Sequence, residues 1–116
     1  MNIVADVLIG LVAALHLYFL VLEMFLWTTP TGRRVFGLAA DFAEESKVLA
    51  ANQGLYNGFL VAGLVWGLVA DNTDAKIFFL VCVVVAGVYG AATVNKRILV
   101  VQALPAALAL GALALS

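Results

Sequence analysis

The stretch LAANQGLYNGFLVAGLVWG, residues 49–67, decides the fold because it sets four polar side chains inside an apolar run of membrane-spanning length. Burying amide and phenol groups in hydrocarbon costs free energy, so these residues are the first candidates for a functional site. At about 100° per residue, a helix collects these side chains in one sector: Asn52, Gln53, Tyr56 and Asn57. The stretch therefore predicts a membrane helix with a polar face.

The composition predicts that the bilayer is the solvent of the whole chain. Of the 116 residues, 66% are hydrophobic and 11% are charged, whereas soluble domains average about 45–50% apolar and about 25% charged residues. With a net charge of -1, the chain has no basic stripe outside its loops that could neutralise the phosphates of a nucleic acid, so no nucleic acid partner is expected. Cys82 lies in an apolar run, which favours a small hydrophobic role over that of a catalytic thiol.

Four apolar segments predict an all-α integral membrane four-helix bundle in a single domain. Each is near the roughly 20 residues that cross a hydrocarbon core, and they cover about residues 3–27, 48–70, 77–94 and 98–115. We interpret the first as a retained helix rather than a signal peptide, because no Lys or Arg precedes it and it carries His16 and Glu23.

Cations near the connections predict the orientation. The first and third connections carry five of them, whereas the second carries only Lys76. The positive-inside rule therefore places the first and third connections in the cytoplasm and both termini outside. The five cations are Arg33, Arg34, Lys47, Lys96 and Arg97.

With this topology, nearly all intramembrane polar side chains lie in the cytoplasmic half. Glu23 lies about one turn inside the first helix and His16 about three turns, and both share one stripe. The polar residues of the 49–67 stretch lie at similar depths. A carboxyl and an imidazole on an inward face can share a proton or hold a ligand; the alternative is that they only join the helices through hydrogen bonds.

The number of these groups favours a ligand pocket open to the cytoplasm. We predict that it binds a small anionic or amphipathic molecule and no metal, through these residues: His16, Glu23, Arg33, Arg34, Asn52, Gln53, Tyr56, Asn57, Arg97 and Gln102. Arg33 and Arg34 have two interpretations, either anchors for anionic headgroups or a fork of donors over the pocket mouth.

Small residues and proline predict how the helices pack. Gly54 with Gly58 and Gly63 with Gly67 form two GxxxG patterns, which let helix backbones approach closely. The first pair is expected on the face opposite the polar sector. Pro105 predicts a kink in the last helix. The first connection, with Pro30 and Gly32 ending helix one, predicts an interfacial helix.

Three segments together resemble a bacterial family of small inner-membrane proteins catalogued as Domain of Unknown Function 1304. They are HLYFLVLEMFLWTTPTGRRVFG, LAANQGLYNGFLVAGLVWGL and VYGAATVNKRILVVQALPA, which begin at residues 16, 49 and 88. The resemblance implies four membrane helices in the bacterial inner membrane and supplies no activity.

A more distant resemblance is to the MAPEG superfamily of membrane-associated eicosanoid and glutathione metabolism proteins, carried by AANQGLYNGFLVAGLVWG from residue 50. It implies a homo-oligomer, a trimer of four-helix subunits, with a glutathione-like thiol cofactor between subunits. Asn52 and Tyr56 would contact the thiol cofactor, and Arg97 would stabilise its thiolate. Val48 and Leu55 depart from the superfamily pattern, at positions where it has an arginine and an acid.

Two other classes of function stay open. Small multidrug exporters also have four helices and a buried carboxylate that alternately binds a proton and a lipophilic cation, a role that Glu23 could fill. Against it, Glu23 lies near one membrane face, whereas alternating-access sites are expected near the midplane. A non-catalytic assembly protein would need only the glycine faces.

Overall fold

The computed structural model describes residues 2–115, and regular structure within that range is helical throughout, without a β-strand. This confirms the all-α prediction. In chain order the helices are α1 (Ile3–Met24), α2 (Pro30–Phe36), α3 (Ala40–Val69), α4 (Thr73–Thr93), a π-helical turn (Leu99–Ala103) and α5 (Leu104–Ala114). Three of them, α1, α3 and α4, are long and apolar enough to cross a membrane, and Leu99–Ala114 is a shorter apolar helix.

The first connection contains the short helix α2, in the segment where the sequence predicts an interfacial helix, so residues 2–115 form five α-helices rather than four. Thr29 precedes this helix, and its hydroxyl accepts a hydrogen bond from the Gly32 N–H at 3.3 Å. Pro30 suits the first helical position because it has no N–H to satisfy there. Gly37 ends the helix with φ +66°, a left-handed conformation that glycine adopts without steric penalty.

The predicted boundaries also shift at α1 and α3. Helix α1 ends at Met24 rather than at residue 27, since the chain turns there into the start of α2. Helix α3 begins at Ala40, eight residues before the predicted start at 48. Its first turns are charged, with Asp41 near the positive end of the helix dipole and Glu44 paired with Lys47. Hydropathy misses such turns because they are polar.

The predicted kink at Pro105 takes the form of a π-helical turn. Proline has no N–H to donate to the carbonyl of Val101, and the chain widens just before it over Leu99–Ala103. The Leu104 N–H accordingly bonds to the Leu99 carbonyl.

Contacts divide the chain into two compact units, residues 2–14 with 60–115 and residues 15–59. The prediction of a single domain stays a prediction. The first unit has an apolar core drawn from α1, α3, α4 and α5, which includes Ile9, Leu64, Leu80, Val83 and Ala106. In it, the ring of Phe79 lies against Gly63, and a side chain on Gly87 would come within 2.7 Å of the Ala103 backbone nitrogen.

The unit of residues 15–59 is built by α2 and by parts of α1 and α3. A Cβ on Gly54 would lie 2.5 Å from Cγ of Met24, and one on Gly58 would lie 3.1 Å from Cδ1 of Leu20. Both glycines therefore permit a close approach to α1. The packing role predicted for the GxxxG patterns is confirmed in both units, since Gly67 likewise lies against Lys76.

Candidate functional site

The polar centre of the 15–59 unit is a hydrogen bond between α3 and α1. Asn57 donates from Nδ2 to Oε1 of Glu23. Asn57 is only 6% exposed, and Glu23 is partly buried. The close packing at Gly54 sets up this geometry, because a side chain there would collide with Met24 and crowd Cβ of Glu23. Two of the predicted site residues are thus in direct contact.

His16 lies two turns before Glu23 on α1 and is fully buried. Its ring meets the Phe19 ring edge to face, with 5.7 Å between centroids and 77° between planes. The inward orientation predicted for His16 is therefore observed. His16 and Glu23 are seven residues apart on α1, which places them about 10 Å apart along the helix axis.

The other polar residues of α3 point outward. Asn52 and Gln53 are exposed, and Tyr56 is 55% exposed with its ring edge to face against Phe59 at 5.8 Å. The predicted polar face is thus divided, with Asn57 inside and three side chains outside. The physical reason is its width of about 140° on a helical projection. Asn57 lies at its edge, next to the glycine face, so the prediction that Gly54 and Gly58 lie opposite all four residues is wrong for Asn57.

The two arginines of the first connection lie in α2, beside an open recess of about 300 Å³. Its lining is Pro30, Arg33, Arg34, Gly37 and Leu38, and it includes none of the polar residues of α1 and α3. Arg33 is partly buried, and its Nε is closed to solvent without a hydrogen-bond acceptor among the described residues. Arg34 is exposed.

The remaining predicted site residues belong to the other unit. Arg97 is exposed in the connection after α4, where its backbone N–H bonds to Oδ1 of Asn95 at 2.9 Å. Gln102 lies half-buried in the π-helical turn. Within residues 2–115, no group of three or more His, Cys, Asp or Glu side chains could hold a metal ion.

A second polar cluster was missed by the sequence prediction. Lys76, only 2% exposed, binds Asp6 at 2.9 Å and Asp71 at 2.7 Å through its Nζ. The hydrogen bond from Lys76 lowers the pKa of the Asp71 carboxyl below its usual value of 3.8. The available signal was that Asp6 and Lys76 fall at the same predicted membrane face. The two ion pairs connect α4 to α1 and to the turn between α3 and α4.

Comparison with known proteins identifies relatives over almost the full chain. The family described as "Protein of unknown function (DUF1304)" matches residues 10–114. A relative named "Uncharacterized protein YpaA", from Lactococcus lactis subsp. lactis (strain IL1403), is 34% identical over 114 residues, which cover 95% of this chain and 96% of the relative. No solved structure matches the chain.

Proposed function

Because the chain belongs to the DUF1304 family, whose description assigns no activity, we propose a function from its own residues. The protein is a multi-pass protein of the bacterial inner membrane that binds a small anionic or amphipathic molecule from the cytoplasmic side. The binding surface is the outer face of α3 at Asn52, Gln53 and Tyr56, next to the hydrogen-bonded pair of Asn57 and Glu23.

The observation that carries this proposal is the exposure of Asn52, Gln53 and Tyr56 on a helix fit to span a membrane. A polar group left unpaired in hydrocarbon costs several kcal/mol, on the order of 2–7 kcal/mol for an amide or hydroxyl. Three such groups within about one helical turn therefore need a partner from outside the chain. Amides supply both donors and acceptors, and the phenol adds a flat apolar ring, so together they suit an amphipathic ligand.

The MAPEG resemblance supplies a more specific form of the proposal. In it the ligand is a glutathione-like thiol held between subunits of a trimer, with Asn52 and Tyr56 as contacts. Arg97 is exposed and forms no ion pair with a described residue. Its guanidinium is thus free to stabilise a thiolate.

Native mass spectrometry of protein extracted from bacterial membranes tests the proposal, first without additions and then with glutathione. We expect a bound small molecule on the wild type and its loss in Asn52→Ala and Tyr56→Phe. Val65→Ala, an exposed apolar position of the same helix, is the matched control and should retain it. A bound molecule that persists in both polar variants, or no bound molecule in any sample, would reject the proposed surface.

A second candidate, proton-coupled transport, is favoured by the partner of Glu23. The carboxyl is held by a neutral amide rather than by a cation, so it can take up a proton without breaking an ion pair. Vesicles with an imposed pH gradient should then show dye efflux that Glu23→Gln abolishes. Glu44→Gln, which removes an exposed acid of the same unit, is the control. Equal efflux in all three proteins would exclude this role of Glu23.

A further inference from the structure

The recess beside α2 has the features of an anion site rather than of an ordinary surface groove. Two guanidinium groups, of Arg33 and Arg34, line it together with Pro30, Gly37 and Leu38. Neither arginine forms an ion pair with a described residue. The carboxylates of the 15–59 unit that form polar contacts have other partners: Glu44 pairs with Lys47, Glu23 accepts from Asn57, and Asp41 accepts from a backbone N–H. The positive charge at this recess is therefore left for a partner outside the chain.

The orientation of Arg33 adds a second, independent observation. Its Nε is shut off from solvent and has no acceptor among the described residues. A charged donor in this state is unfavourable, because desolvation is not repaid by a hydrogen bond. An oxygen-rich anion that enters the recess can accept from the guanidinium groups that line it. Phosphate fits this arrangement, because its oxygens match the donor fork of arginine in bidentate geometry.

The surroundings of the recess are apolar and open. Pro30 and Leu38 line it beside the arginines and carry only apolar side chains. Gly37 lines the recess, and a Cβ there would have no neighbour within 4 Å. An anion at the arginines can therefore carry an apolar tail, which these side chains would contact.

We propose that the recess formed by Arg33, Arg34 and Gly37 is a phosphate-binding site for a phosphate ester, carried by an anionic phospholipid or by a soluble compound. The site shares no lining residue with the polar face of α3 and does not rest on the ligand proposed for that face. It specifies the role of the two arginines: they bind a phosphate group directly instead of covering the mouth of another pocket.

The test measures the binding of phosphate-bearing ligands to the purified protein in lipid nanodiscs. One arm uses discs of phosphatidylcholine with or without phosphatidylglycerol, and counts lipid retained per protein by native mass spectrometry. The other arm measures binding of glycerol 3-phosphate by calorimetry, in discs of phosphatidylcholine alone. Three variants are compared with the wild type in both arms: Arg33→Gln, Gly37→Asn and Lys96→Gln.

We expect binding to fall about fivefold in Arg33→Gln, the factor that corresponds to about 1 kcal/mol for one cation near an anionic surface. Gly37→Asn should reduce binding without changing charge, because asparagine tolerates φ +66° and adds a side chain at a residue that lines the recess. Lys96→Gln removes a loop cation outside the recess and should bind like the wild type.

The two arms identify the source of the phosphate. Retention of phosphatidylglycerol, lost in Arg33→Gln and Gly37→Asn, assigns the site to a lipid headgroup. Saturable binding of glycerol 3-phosphate with the same variant pattern assigns it to a soluble ester. The proposal is overturned if neither ligand binds, or if Lys96→Gln lowers binding as much as Arg33→Gln. Binding that is unchanged in Gly37→Asn also overturns it, because the recess would then not be the site.

Discussion

Asn57 and Glu23, separated by 34 positions in sequence, are joined by a side-chain hydrogen bond that ties α3 to α1. The bond lies beside the tight packing of Gly54 on Met24. The buried amide is therefore part of the helix interface, whereas the exposed amides of α3 are not. This difference allows the structural and functional roles of the polar residues to be tested separately.

Removal of either partner of this bond is expected to lower the free energy of unfolding. Hydrogen bonds between membrane helices average about 0.6 kcal/mol in double-mutant cycles, with a maximum of about 1.7 kcal/mol. We expect a coupling free energy in this range between Glu23→Ala and Asn57→Ala, measured by unfolding in detergent micelles. The cycle of Glu23→Ala with Asn52→Ala is the control and should be additive within about 0.5 kcal/mol. Additivity of the first cycle would mean that the bond does not stabilise the fold.

Replacing glycine by alanine should lower stability where the glycine lies at a helix contact, and raise it where the position is open. A Cβ on Gly87 would lie 2.7 Å from the backbone nitrogen of Ala103, which cannot rotate away, whereas Gly10 has no neighbour within 4 Å. We expect Gly87→Ala to destabilise by about 1–3 kcal/mol through overpacking. Gly10→Ala should stabilise by roughly 0.5–1 kcal/mol, since alanine is the better helix former.

Thermal unfolding of the two alanine variants in the same detergent compares them directly. Both variants add one methyl group to a helix, so they are matched in chemistry. If Gly87→Ala were as stable as Gly10→Ala, the close approach of α4 to the π-helical turn would be incorrect.

The helices were predictable from the sequence because apolar length and composition depend on local residues alone. Their boundaries were less predictable, because residues 40–47 are polar yet continue α3 outside the predicted span. The signals for α2 were present in Thr29, Pro30 and Gly37, but the sequence prediction took Pro30 and Gly32 as the end of the first helix, whereas Pro30 begins α2. The N-cap at Thr29 and the C-cap at Gly37 set the limits of this helix.

The site was predictable only as a set of residue types. Periodicity placed Asn52, Gln53, Tyr56 and Asn57 in one wide sector, but which edge of that sector meets α1 depends on helix packing. Likewise, the partnership of Lys76 with Asp6 joins residues 70 positions apart, and no local pattern indicates it. The predicted topology, oligomeric state and ligand stay predictions.

The cluster of Lys76, Asp71 and Asp6 makes a pH dependence testable. The pKa of Asp71 is lowered in the folded state, mainly by its hydrogen bond from Lys76. Its contribution to stability is therefore complete above the unfolded pKa of 3.8 and is lost as the pH falls through the lower folded value. We expect stability to decline in acid over this window, and to decline less steeply in Asp71→Asn.

Asparagine is the suitable replacement at this position because Asp71 has φ +47°, a left-handed conformation that asparagine also tolerates. The measurement is the free energy of unfolding between about pH 6 and pH 2.5. Asp74→Asn, at an exposed position of the same turn region, is the control and should keep the wild-type slope. An unchanged slope in Asp71→Asn would show that its ion pair with Lys76 does not form in solution.

Trp27 links the first connection to α3 through two separable contacts. Its Nε1–H donates to Oγ of Ser46 at 3.0 Å, and its ring packs on Phe36 with 4.9 Å between centroids. Ser46 in turn donates to the carbonyl of Phe42 at 2.6 Å, so its hydroxyl both donates and accepts. The indole therefore contributes a hydrogen bond to α3 and apolar contact to α2.

Trp27→Phe should remove the hydrogen bond and keep most of the ring contact, at a loss of about 1 kcal/mol. Trp27→Ala should remove both contacts and destabilise by about 3 kcal/mol or more, since a large partly buried ring is deleted. Thermal unfolding in detergent measures the difference, with Trp66→Phe at a 55% exposed position as the control. If Trp27→Phe and Trp27→Ala unfold alike, the ring contact with Phe36 contributes nothing to the stability of the protein.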